Sequence, residues 1–384
     1  MEPMAAGDQL YAIVEEYAAL GEHRSGSAVD QATASWFGDR LRSAGLRVEH
    51  QAVPFEQWVG DAMLRVDGDV VGCLPVPYEF IGELDTDAVE VAAFDPRGGG
   101  VPEVIDAPVA AAKHHGADAV VLVTSHPEGS LVAVNRNLGS TRPGFPVVLA
   151  AGRDLARLQG GSVSLRIEGR LEPGRTSNVV AANAVEGPSL VLTTPLNGWF
   201  ACAGERGTGI AVMLSLVDRF RHLPLLVVAT GGHELGCIGA HHFVAETTLT
   251  AGAVAHIGAS VAVDAPTSGG SRELISTRTA MTSLDADDAA PVSEAVREAE
   301  LSLSTSCDQW LGEGEAWAKV GLPLLSFTGA GIDFHTPADT PARATSPAAL
   351  GRVAEALGDA IDAFIAMGDN PPRASTHADG PGLR

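Results

Sequence analysis

Carboxylate and imidazole side chains gather in three short stretches of this chain: Ala201-Cys202-Ala203-Gly204-Glu205-Arg206-Gly207-Thr208-Gly209, Gly231-Gly232-His233-Glu234-Leu235-Gly236 and Phe334-His335-Thr336-Pro337-Ala338-Asp339-Thr340. Such groups move protons or hold cations. His233 has the type of side chain whose unperturbed pKa, about 6.5, suits proton transfer near neutral pH. Beside a metal it would be a ligand instead, and a loop-carbonyl partner is its purely structural alternative. A fourth stretch, Gly312-Glu313-Gly314-Glu315-Ala316-Trp317, offers two more carboxylates; a solvated helix start accounts for one, and Glu315 is expected to act. Cys73, Cys202, Cys237 and Cys307 lie far apart with no CxxC pair, so neither a disulfide framework nor a cysteine zinc site is indicated. His114, His115, His241 and His242 are read as structural, and Asp339 as a residue that fixes its loop.

The elements that must position these groups follow from periodicity. Leu10, Ile13, Val14 and Tyr17 mark one helical face, and a second helix runs from about Val29 to Ala44 with Gly45 after it. Beyond Arg175 the chain alternates apolar runs with helices: Ser189 to Thr194, Gly207 to Phe220, Leu225 to Thr230, Cys237 to Ala245 and Ala253 to Val263. That pattern predicts an α/β fold, a mostly parallel sheet covered by helices on both faces. Ligands bind at the carboxyl ends of such strands, where all three stretches fall. Ser346 and Pro347 are expected to start a last helix with Leu350, Val353, Leu357, Ile361 and Phe364 on one stripe. Glycine- and proline-broken strands from 56 to 172 predict a smaller β-rich inserted domain, dividing the chain into 1–55 plus 173–368, the insert, and a disordered tail at 369–384.

The 384 residues are ample for a large core. Lysine and arginine number 25 against 48 acidic residues, a net charge of -23, which repels phosphate backbones and anionic lipid. Nucleic acid and membranes are therefore not expected partners. No basic segment precedes an apolar run at the amino terminus and no apolar stretch reaches membrane-spanning length, so the expected location is cytoplasmic. The oligomeric state is left open.

In order, spacing and context, the three stretches resemble the active site of the two-zinc bacterial aminopeptidases and their single-zinc relatives, the glutaminyl cyclases, from about Tyr11 to Met367. The 56–172 segment resembles the protease-associated insert that many of these peptidases carry. The resemblance implies that one zinc has lost its private ligands. Its histidine matches Pro195, its second-shell aspartate Asn197 and its later aspartate Gly258. It implies that the other zinc keeps Glu205 (in place of a bridging aspartate), Glu234 and His335, with water as fourth ligand. His233 stands where the family has its general-base glutamate, and Glu315 falls in a segment that faces the site. Trp199 and His256 are assigned to substrate binding.

The function implied is a single-zinc enzyme acting on an amide or short-peptide-like small molecule, with water or the substrate's own amine as nucleophile. Two alternatives stand beside it. One is a metal-free descendant that binds a ligand or partner without catalysis. The other is a metal-free acid-base enzyme using His233, His256 and Glu234.

Overall fold

A computed structural model describes residues 6–96, 102–138, 144–249, 251–266, 272–273 and 277–367. The expected tail lies outside the described residues. At the centre of the fold four parallel strands lie side by side in the order Leu324–Ala330, Ala251–Ile257, Ser189–Pro195 and Leu225–Thr230. Antiparallel strands flank them, Thr277–Thr282 at one side and Val163–Ala182 at the other. The α/β expectation of a mostly parallel sheet between helices holds for this centre.

The central strands read as unbroken apolar runs because both faces are covered. Leu190 and Leu192 pack with Ile210, Leu216, Leu350 and Leu357 of helices Thr208–Phe220 and Pro347–Ala366. Val191, pointing the other way, joins Val228, Phe243, Val254 and Trp317. The helix ends follow local chemistry. The Ser346 hydroxyl accepts from the Ala349 amide at 3.2 Å with Pro347 in the first turn, and the Ser27 hydroxyl accepts from the Asp30 amide at 3.0 Å. The strand expected from Ala253 to Val263 is shorter, because beyond Ile257 the backbone turns and the Ser260 amide bonds to the Glu205 carbonyl at 2.9 Å. The apolar residues after it are buried by a loop.

Strands Arg47–Val66 and Val163–Ala182 form an antiparallel ribbon 20 residues long. It begins in the central sheet and ends against a second, four-stranded sheet. Leu64, Val66, Leu165 and Ile167 of the ribbon pack on Val121, Val123, Val148 and Ala150 of that sheet. Its other face, with Val120, Leu122, Val147 and Leu149, packs on Val109 and Ala112 of helix Asp106–His114. The expected insert boundary falls inside the ribbon, where Glu56 pairs with Pro173. Among the described residues no helix is long and apolar enough to cross a membrane.

Candidate active site

The loops after the four parallel strands converge at their carboxyl ends. Five non-glycine residues in these loops, Phe200, Cys202, Cys237, Ser260 and His335, take positive φ, a conformation that the surrounding structure must enforce. After Pro195 the chain enters a π-helical turn, Ala203–Gly207, that buries Glu205 and Arg206. After Thr230, Gly232 (φ 74°) and Gly236 (φ 87°) flank a single 3-10 turn holding His233 and Glu234. A Cβ on Gly232 would lie 2.3 Å from Ile238, so no larger residue fits there.

Arg206 is the residue the sequence reading passed over. Its guanidinium is buried, with Nε donating to the Asn197 carbonyl at 2.7 Å and Nη2 lying 2.7 Å from Glu205 Oε1. Among the described residues Nη1 has no hydrogen-bond partner. His335 Nε2 approaches the same Glu205 oxygen at 3.2 Å, while its Nδ1 bonds to the Ala133 carbonyl at 3.1 Å. Burial alone would raise the Glu205 carboxyl, but the Arg206 and His335 charges outweigh it and bring it down to about 2. Asp339 fixes this loop, accepting from the Gly204 and Glu205 amides at 2.7 and 3.0 Å.

Asn197, where the resemblance expects an aspartate, is a neutral hub. Its amide nitrogen donates to Asp30 at 3.0 Å, and its oxygen accepts from the Gly232 amide at 2.9 Å. It thereby ties the two loops together without adding a charge.

The three expected zinc ligands are not brought together. Glu205 and His335 meet, but no choice of one donor atom each from Glu205, Glu234 and His335 puts all three within 4.8 Å of one another. Glu234 Oε1 instead accepts from the Ser25 amide at 2.6 Å, and burial raises its carboxyl. The Arg206 cation already lies against Glu205. The set does not fit a zinc ion in this arrangement, and no chemistry is routed through one there.

His233 is half-buried and faces Glu313, with Nδ1 3.2 Å from Glu313 Oε1. Cys237 Sγ lies 3.7 Å from the same nitrogen. Burial lowers the His233 pKa, aided by Arg206 and opposed by Glu313. Burial also pushes the Cys237 thiol well up, so it is no ready nucleophile. The expectation for Glu315 is corrected here. Glu315 is exposed and pairs with Lys319 one helical turn away at 3.1 Å, whereas Glu313 is the buried carboxylate at the site. Of two acids one residue apart at a helix start, only one can face inward.

His256 sits in the strand Ala251–Ile257 with Nδ1 3.5 Å from the Thr193 hydroxyl, and burial lowers its pKa to about 4. It is a neutral buried histidine at this geometry, close enough to Glu313, His233 and Arg206 to feel their charges. Trp199 is buried, with its indole nitrogen donating to Asn135 at 2.8 Å and Arg24 5.8 Å from its ring centre.

The smaller sheet reaches into the site through residues 133–138. The Ala133 amide bonds to the His335 carbonyl at 2.8 Å, the Arg136 amide to the Glu234 carbonyl at 2.9 Å and the Leu138 amide to the Leu235 carbonyl at 3.3 Å. Glu205, Ser260, Phe334 and Asp339 line a small pocket beside these loops.

Residues 192–361 match the family model of Peptidase family M28. The fold is similar to that of a Bacillus subtilis zinc aminopeptidase, with TM-score 0.67, 17% identity and 95% of each chain covered. A Peptidase M28 precursor from Shewanella amazonensis gives TM-score 0.68 and 17% identity over 94% of this chain and 93% of that one. Porphyromonas gingivalis glutaminyl cyclase gives 0.50 and 12% over 94% and 97%. No curated protein sequence matches the chain. Over residues 192–361, then, this chain matches Peptidase family M28, and the resemblance to the bacterial zinc aminopeptidases read from its motifs holds in the fold.

Proposed function

We propose that the chain acts on the carbonyl of an amide in a small peptide-like substrate, by hydrolysis or by attack of the substrate's own amine. The family match and the likeness to aminopeptidases and a glutaminyl cyclase support that class. The observation that carries the reading is the buried Arg206, ion-paired with Glu205 at 2.7 Å beside His335, with Nη1 lacking a partner. A buried donor without an acceptor is costly, and a substrate carbonyl oxygen or its oxyanion relieves that cost.

The chemistry is assigned to the chain's own groups. Arg206 Nη1 receives the carbonyl oxygen and stabilises the charge that grows on it. His335, held through Nδ1 by the Ala133 carbonyl, takes the nucleophile's proton at Nε2, where the Glu205 carboxylate 3.2 Å away stabilises the imidazolium. That proton then passes to the departing amine. The expected protease-associated character of residues 56–172 remains part of this proposal, with residues 133–138 as the cover that orders His335.

His335→Gln is expected to lower kcat by about two to four orders of magnitude on amide and dipeptide libraries while the fold is kept. Arg206→Lys should cost about two orders, because one ammonium cannot hold Glu205, Asn197 and a carbonyl together. Unchanged turnover in both variants would remove this site from the reaction. Ligand-induced thermal stabilisation with no turnover by the wild type would instead favour the descendant that binds a ligand without catalysis.

A further inference from the structure

We propose that His233, Cys237 and Glu313 form a zinc site, displaced from the ligand set the motifs suggest. Three unlike donors converge there: His233 Nδ1, Cys237 Sγ and a Glu313 carboxylate oxygen all lie within 4.8 Å of one another. The two distances from His233 are close to those of a coordination shell. For a tetrahedral ion with Zn–N and Zn–O bonds of about 2.0 Å and a Zn–S bond of about 2.3 Å, N and O ligands stand about 3.3 Å apart and N and S about 3.5 Å. Nδ1 to Oε1 is 3.2 Å and Nδ1 to Sγ is 3.7 Å.

Both contacts fall on the same ring nitrogen. An uncharged or charged imidazole nitrogen has one proton or one lone pair to offer, so hydrogen bonding satisfies at most one of the two partners. A cation between them satisfies all three. The sequence builds the site locally: Gly232 and Gly236 at positive φ make the turn that places His233 and Cys237 four residues apart, with the Cys237 amide bonded to the His233 carbonyl at 3.1 Å. Glu313 arrives from the start of helix Gly314–Ala318 and is fully buried. Its second oxygen accepts from the Thr230 hydroxyl at 2.6 Å, a contact that orients the first toward His233 in the way ligating carboxylates are held.

The other convergent trio, Cys202, Glu205 and Asp339, does not share this logic. There the Asp339 oxygens accept backbone amides, the Cys202 thiol lies on Glu205, and Glu205 already holds Arg206. Sulfur, imidazole and carboxylate donors together favour zinc among the common divalent ions and leave a fourth position open. The inference goes beyond the Arg206 and His335 chemistry and stands without it.

The test is metal binding by the full chain after removal of metal with chelator. Zinc is expected at close to one equivalent, and cobalt(II) in its place should give a near-ultraviolet thiolate-to-cobalt charge-transfer band. Cys237→Ser should abolish the band and weaken zinc binding at least tenfold. Glu313→Gln should weaken binding but keep the band, and His335→Ala should leave both unchanged. In wild type, zinc should also slow alkylation of Cys237, a readout that needs no variant to fold. No zinc bound in excess, cobalt bound without the thiolate band, or metal lost in His335→Ala but kept in Cys237→Ser would each overturn the proposal.

Discussion

A buried guanidinium facing a buried carboxylate persists only when each satisfies the other, since either alone would leave an uncompensated charge in a low-dielectric interior. Arg206 and Glu205 are such a pair, and they place a permanent positive charge against a carboxylate that the resemblance assigned to metal. Elsewhere the interior keeps titratable groups neutral. Burial lowers His23 and His256 from 6.5 to about 4. In the unfolded chain both histidines take up a proton near pH 6.5, so their contribution to stability is whole above that pH and is lost as pH falls toward 4, on the order of 3 kcal/mol each at the acid end. Asp339 acts in the opposite sense, because burial raises it to about 7 and its protonation on acidification favours the fold. Between pH 6.5 and 4.5 the urea midpoint of a His23→Asn, His256→Asn double variant is therefore expected to fall less, or rise more, than that of wild type, in which Asp339 and Glu79, both raised to about 7, offset the histidines. Parallel slopes would show that these histidines are not held neutral.

Among the elements, the segment 133–138 ties the smaller sheet to the site loops. It lies over the loops carrying His335, Glu234 and Leu235 through three backbone bonds, and is itself anchored by the buried ion pair of Arg136 with Glu79. Glu79→Gln takes the carboxylate out of that buried pair, a change worth about 3 kcal/mol. Hydrogen exchange at the Ala133, Arg136 and Leu138 amides should then accelerate by about 100-fold, while amides of the central strands keep their protection. Equal acceleration in Val191 and Val228 would mean that the segment opens only by global unfolding.

At the scale of the whole molecule, the long ribbon joins the two sheets without a linker. Because Glu56 and Pro173 are cross-strand partners, replacing residues 57–172 by Asn-Gly closes the ribbon as a two-residue hairpin. The shortened chain should fold cooperatively with its apolar core intact, since the large cluster around Leu192, Ile210 and Leu357 takes nothing from the excised part. His335 would lose the Ala133 carbonyl that orients it, so turnover should drop or change preference. An unfolded product by circular dichroism would show that the two sheets depend on a shared core.

The sequence by itself determined the alternation of apolar strands and helices, the helix start at Ser346, and the three loops at the strand ends, because periodicity and capping are local chemistry. It also set Pro195 and Gly258 where the resemblance expects metal ligands, and neither residue has a side-chain donor for a metal. Only the tertiary structure decided which charges meet. Nothing local in Ala203-Gly204-Glu205-Arg206-Gly207 says that the guanidinium turns inward onto Glu205, and nothing in Gly312-Glu313-Gly314-Glu315 selects Glu313 over Glu315. Nor does spacing reveal that Glu234 bonds to Ser25, 209 residues earlier. Those outcomes depend on desolvation and on partners brought from distant loops, and they exist only once the chain is folded.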